Sequence, residues 1–200
     1  MALPEYAPDY SEELTSGILP ILCNLIEEEP GCNVVDLGAT SVDNCMRFSR
    51  NGARVYLDTS GGNLRTRVLR SSELEASDID DLLAYCPDAV DLLLFWDILD
   101  YLSIESIGRL MRRFGEVMRP GGLLYAMVSQ QFRIPTEPAL IDVLQVNRVR
   151  FHIGPLDREG PHHAPKQLEQ RMPGFRIEKL YLMQNGVQEH LFLFEGVPTS

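Results

Sequence analysis

Two aspartates at the ends of short apolar runs are the residues best placed for chemistry in this chain of 200 residues. Asp36 follows Asn33-Val34-Val35 and precedes Leu37-Gly38-Ala39-Thr40-Ser41-Val42. An apolar run, an acid, a glycine and the opening of a helix describe a strand, a tight turn and a helix N-terminus. α/β proteins hold nucleotide-like ligands at such a point, because backbone N–H groups and the helix dipole face the ligand. Asp58 ends a second run, Arg54-Val55-Tyr56-Leu57, in the same way. Trp96 and Asp97 end the most apolar run, residues 91–96. Asp97 is the candidate for a general base or for orienting a ligand. Alternatively, Asp97 and Asp100 cap the loop before Ser103, and Trp96 is a packed strand-end aromatic or a pocket wall.

Other chemistries find less support. His152, His162, His163 and His190 match no common metal-site spacing, and adjacent histidines on an extended segment point opposite ways. No metal is expected. Cys23, Cys32, Cys45 and Cys86 form no C-x-x-C pair and read as isolated thiols in a reducing compartment. The sequence holds no phosphate loop of the G-x-x-x-x-G-K type and no nucleophile elbow.

The elements that must position these residues follow from hydrophobic period. Leu14, Ile18, Ile21, Leu22, Leu25 and Ile26 predict a leading helix, kinked at Pro20 and ended by Pro30-Gly31. Strands are expected at 33–37, 54–58, 91–96, 123–128, 149–153, 175–183 and 190–195, and a weaker one near Val68-Leu69. The run at 91–96 lacks alternation, as in a parallel strand covered on both faces. Helices are expected at 42–51, 78–84, 104–118, 139–146 and 165–172. Residues 130–165 carry five prolines and form an insertion, of the kind that serves as a lid or a partner surface. Asn185-Gly186 predicts a closing hairpin. The whole is a Rossmann-like α/β fold: a doubly wound, mostly parallel sheet with a C-terminal antiparallel hairpin. It is read as one domain over 1–200, with an N-terminal helical segment at 1–32 and the insertion at 130–165.

Charge bounds the partners. The net charge is −11, and residues 1–100 carry 19 acids against 6 bases. An acidic half of this kind repels phosphate backbones, which argues against nucleic acid. No apolar run approaches the ~20 residues of a membrane span, and no basic leader precedes the fold, so a cytoplasmic protein is expected. The leading helix and the insertion are the candidate surfaces for a protein partner. Arg148 and Arg150 alternate on one strand face, either meeting an acidic partner or standing as exposed edge charges.

The succession resembles the class I S-adenosylmethionine-dependent methyltransferases. Val34-Val35-Asp36-Leu37-Gly38 is similar to that family's first-strand glycine motif, and Val55-Tyr56-Leu57-Asp58 to its second strand. Asp91–Leu102, DLLLFWDILDYL, is similar to its fourth strand and following loop. Arg119-Pro120-Gly121-Gly122-Leu123 and Pro173-Gly174-Phe175 resemble its later turns. The resemblance implies S-adenosylmethionine as cofactor, held by Asp36, Gly38, Ala39, Asp58 and Trp96, with Asp58 on the ribose hydroxyls. It implies methyl transfer to a small-molecule or protein acceptor beside Asp97, with His152 or His162 as further candidate bases. Where the family pattern D-x-G-x-G-x-G has later glycines, this chain has Thr40 and Val42. Those departures favour the alternative, a catalytically inactive methyltransferase-like scaffold that has lost the cofactor. A dinucleotide oxidoreductase would show G-x-G-x-x-G after the first strand, which is absent.

Overall fold

The computed structural model describes residues 10–38, 41–57 and 63–196. In chain order these form β1 (Tyr10–Thr15), α1 (Leu19–Glu28), β2 (Asn33–Asp36), α2 (Val42–Arg50), β3 (Arg54–Leu57), α3 (Leu64–Arg70) and α4 (Ala76–Leu83). There follow β4 (Val90–Trp96), a 3-10 turn (Ile98–Tyr101), α5 (Ile104–Phe114), β5 (Met118–Ser129) and β6 (Arg133–Pro135). The chain closes with β7 (Leu140–Gln145), β8 (Arg148–Ile153), β9 (Leu156–Glu159), α6 (Pro165–Arg171), β10 (Phe175–Leu182) and β11 (Val187–Phe194).

The central sheet has six strands in the order β10-β11-β5-β4-β2-β3. β3, β2, β4 and β5 run parallel, and β11 and β10 are added antiparallel. Strand order reverses between β2 and β4, so the ligand crevice of this topology opens at the carboxyl ends of those two strands. β4 is buried along its whole length. Leu92, Leu94 and Trp96 face a core built with α1, Phe48 of α2 and the small sheet described below. Leu93 and Phe95 face the opposite core, with residues of α3, α4, α5 and α6. Two covered faces are the physical reason for its unbroken apolar run.

A second sheet, β1-β8-β7, lies over the first core as a roof. Its strands alternate: Ile141, Val143, Val149 and Phe151 are buried and their neighbours are not. A two-stranded ribbon, β6-β9, completes the insertion.

Three expectations are corrected. The leading helix does not include Leu14, which sits in β1 opposite Val149. α1 begins at Leu19 and Pro20 falls in its first turn, where a missing N–H costs nothing and no kink arises. The helix expected at 139–146 is instead β7, because Ile141 and Val143 alternate inward against the sheet. No strand forms near Val68-Leu69. Asn63 caps α3 there, accepting from Thr66 N at 3.0 Å, and Leu64 and Val68 are buried one helical turn apart. Among the described residues β3 is therefore an edge of the sheet. Arg148 and Arg150 stand on the central strand of the roof and both pair with Glu13 of β1, at 3.0 and 2.5 Å. Their acidic partner is internal.

Candidate functional site

At the crevice, β2 hands over to the glycine turn through Leu37, whose N–H bonds the Leu94 carbonyl at 2.9 Å. Asp36 is 2% exposed. Its Oδ1 accepts from the Gly38 N–H at 3.1 Å and from the Trp96 indole Nε1 at 2.9 Å. Trp96 is the last residue of β4 and has φ 50°, a left-handed conformation that bulky residues avoid. That twist swings the indole from the strand end across to the glycine turn. A methyl group added at Gly38 would overlap the ring. The ring is 1% exposed and meets Tyr125 edge-on, with centroids 5.7 Å apart. Gly38 is thus required by the tryptophan itself.

Of the other predicted cofactor ligands, Ala39 and Asp58 lie outside the described residues. Ser41 caps α2 by accepting from Asn44 N at 3.3 Å. Asn44, fully buried, turns toward the roof: its Nδ2 donates to the Ile141 carbonyl at 2.6 Å and its Oδ1 accepts from Val143 N at 2.7 Å. The helix that follows the glycine turn is thereby stitched to the edge of β7.

Past Trp96 the chain enters the 3-10 turn with two acids three residues apart. Asp97 Oδ2 accepts from Ala139 N at 2.7 Å, and Asp100 Oδ2 accepts from Ser129 N at 2.8 Å. Each Oδ1 is buried with no hydrogen-bond partner among the described residues. Neither side chain caps the following helix; Ser103 does, accepting from Ser106 N at 3.1 Å. Both acids line a cavity of about 470 Å³ between the sheet end and the roof, with Glu12, Tyr101, Phe151 and Ile153 among its other walls. Burial lifts the Asp97 carboxyl to about 7, against the Ala139 amide and the Arg65 charge. Burial, with the neighbouring Asp97 charge, holds Asp100 well above the usual carboxylate range.

The histidines are dispersed. His152 faces Asp142 at 2.8 Å, and His162 stacks on Phe132. His163 meets the Leu102 carbonyl at 2.9 Å. His190 is buried beside Phe192 and driven down to about 4 by loss of solvent. Neither His152 nor His162 lines the cavity of Asp97. No group of three metal-ligating side chains occurs among the described residues.

Sequence reasoning missed Glu12 as a cavity wall and Asn44 as a tie to the insertion. It treated Asp100 only as a loop cap. The three-residue spacing of Asp97 and Asp100 was the available signal for the acid pair. Nothing in the sequence marks Asn44.

No protein-family model matches the chain, and no curated protein matches it. Solved structures do. A S-adenosylmethionine-dependent methyltransferase from Methanosarcina mazei has a TM-score of 0.53 and 15% identity, over 90% of this chain and 98% of that one. Magnesium protoporphyrin IX methyltransferase from Synechocystis PCC 6803, solved with S-adenosylmethionine bound, has a TM-score of 0.52 and 12% identity, over 88% and 77%. Identities this low speak of fold: the chain has the class I methyltransferase fold.

Proposed function

We propose that this protein is a methyltransferase-fold binding protein in which Trp96 takes the place of the cofactor's methionine end. The observation that carries the reading is the indole on Gly38, hydrogen-bonded to Asp36. In this fold the ligand meets the glycine turn at the switch in strand order. Here a ring 1% exposed packs on Gly38, with Asp36 buried beside it and Gly38 only partly exposed. In this arrangement the residues described at the crevice do not fit S-adenosylmethionine. The chain keeps instead the cavity on the far side of Trp96, lined by Asp97 and Asp100, as its ligand site.

Calorimetric titration with S-adenosylmethionine and S-adenosylhomocysteine tests this. The expected result is no heat and no thermal shift at millimolar ligand. Micromolar binding that weakens on Asp58→Ala would overturn it. A second reading would then stand, methyl transfer to a small acceptor in the cavity. What favours that reading is Asp97, a carboxyl lifted to about 7 and suited to hold or take a proton near neutral pH.

A further inference from the structure

We propose that the cavity under the roof binds a small apolar amine, whose ammonium group sits against the open oxygens of Asp97 and Asp100. The inference rests on reading that cavity as the ligand site, and it needs no statement about the cofactor cradle.

The acids come first. Asp97 is 8% exposed and Asp100 5%. A backbone amide fixes one oxygen of each, Ala139 N on Asp97 and Ser129 N on Asp100, and the other oxygen has no hydrogen-bond partner among the described residues. A buried acceptor without a donor is costly to fold, and native proteins rarely keep two such acceptors together without a use. Among the described residues, neither is paired with a cation. Arg133 lines the cavity but pairs with Asp157 at 3.0 Å. Arg65 reaches Asp97 only through its field and pairs with Glu137 at 3.0 Å. Glu12 of β1 adds a third acid to the lining.

The rest of the wall sets the body of the ligand. Tyr101, Phe151, Ile153 and Leu156 present carbon, and the volume of about 470 Å³ suits a molecule with one or two rings. An anion would meet three acids. A divalent cation would need several more oxygens than two carboxylates provide, and no group of three metal-ligating side chains occurs among the described residues. A bare ammonium brings three donors and a positive charge to two acids that lack both. Its arrival favours the charged forms of both carboxyls, which burial alone disfavours, so binding near neutral pH releases protons. The charged groups bearing on the pair are Arg65 from α3, Arg133 from β6 and Glu12 from β1.

The experiment is calorimetry of the full chain with three probes of one shape: 1-naphthylmethylamine, 1-naphthylmethanol and 1-naphthylacetate. It is run at pH 7 without S-adenosylmethionine, in two buffers of different ionisation enthalpy. The amine is expected to bind at least tenfold tighter than the alcohol, with net proton release. The acetate is expected to give no heat. In Asp97→Asn and Asp100→Asn the amine advantage falls to threefold or less, while the alcohol still binds and reports an intact cavity. The proposal is overturned if no probe binds, if the acetate matches the amine, or if both variants keep the preference. Binding of S-adenosylmethionine in its own titration would overturn the preceding reading and leave this one standing.

Discussion

Gly38 and Trp96 form a coupled pair. Gly38→Ala places a methyl in the indole and should cost about 1–3 kcal/mol of stability, the usual range for overpacking. In a Trp96→Leu background the same change should cost under about 0.5 kcal/mol, and a double-mutant cycle by urea denaturation measures the difference. Equal costs in both backgrounds would mean the turn needs glycine for another reason. Buried acids and histidines act in opposite directions on pH. Asp97 moves up from 3.8 to about 7 on folding, so its contribution is full below about 4 and is lost as pH rises to 7. Asp100 shifts the same way. His190 moves down from 6.5 to about 4, so its contribution grows as pH rises through that window. Between pH 4 and 6.5 the opposed slopes of Asp97 and His190 offset, each about 1.4 kcal/mol per pH unit at most. Asp97→Asn removes one falling contribution, and the slope of its stability against pH in this window should be more positive than the wild type's. An unchanged profile in guanidinium melts at several pH values would refute the assignment.

At the scale of elements, β4 was legible from its doubly covered run and β8 from its alternation, whereas β1 and β7 were not. β4 declares itself because seven consecutive residues lie in two cores. β1 and β7 were misread because Leu14 and Ile141 also fit a helical period, and only their pairing with β8 decides the matter. A strand was expected where α3 stands because Val68-Leu69 is an apolar pair led by a β-branched valine, whereas the cap at Asn63 fixes a helix. The structure brings Asp36, Gly38 and Trp96 to one place, and their mutual contact was beyond reach of the sequence, since it depends on the left-handed turn at Trp96. One further contact between elements carries a prediction. Glu189 of β11 is fully buried and accepts from Ser16 Oγ, from Gly17 N at 2.7 Å and from Tyr125 Oη at 2.6 Å. It anchors the link between β1 and α1 to the sheet. Glu189→Gln turns one acceptor into a donor among three donors. It should cost about 2–4 kcal/mol in urea denaturation, as for other buried charge networks that lose a partner. A loss under about 1 kcal/mol would mean the anchor is dispensable.

The whole molecule is a twisted sheet under a separate roof, and the two are joined at few polar points. Asn44 ties α2 to β7, Arg47 bonds the Leu144 carbonyl at 2.9 Å, and Asp97 receives Ala139 N just before β7. Within the roof, β1, β8 and β7 share continuous ladders. Elements bonded to each other more than to the rest open together, with a free energy below that of global unfolding. Hydrogen exchange should therefore show β1, β7 and β8 exchanging as one group, ahead of β2, β4 and β5. Asn44→Ala leaves the Ile141 carbonyl and the Val143 N–H without their partner and should weaken the roof selectively. Its amides should lose on the order of 1–3 kcal/mol of protection while those of β4 hold theirs. Uniform loss across both sheets would mean that roof and sheet open as a single unit. A separately opening roof would widen the cavity and ease a ligand's entry, because Glu12, Phe151 and Ile153 belong to it and Asp97 and Asp100 do not.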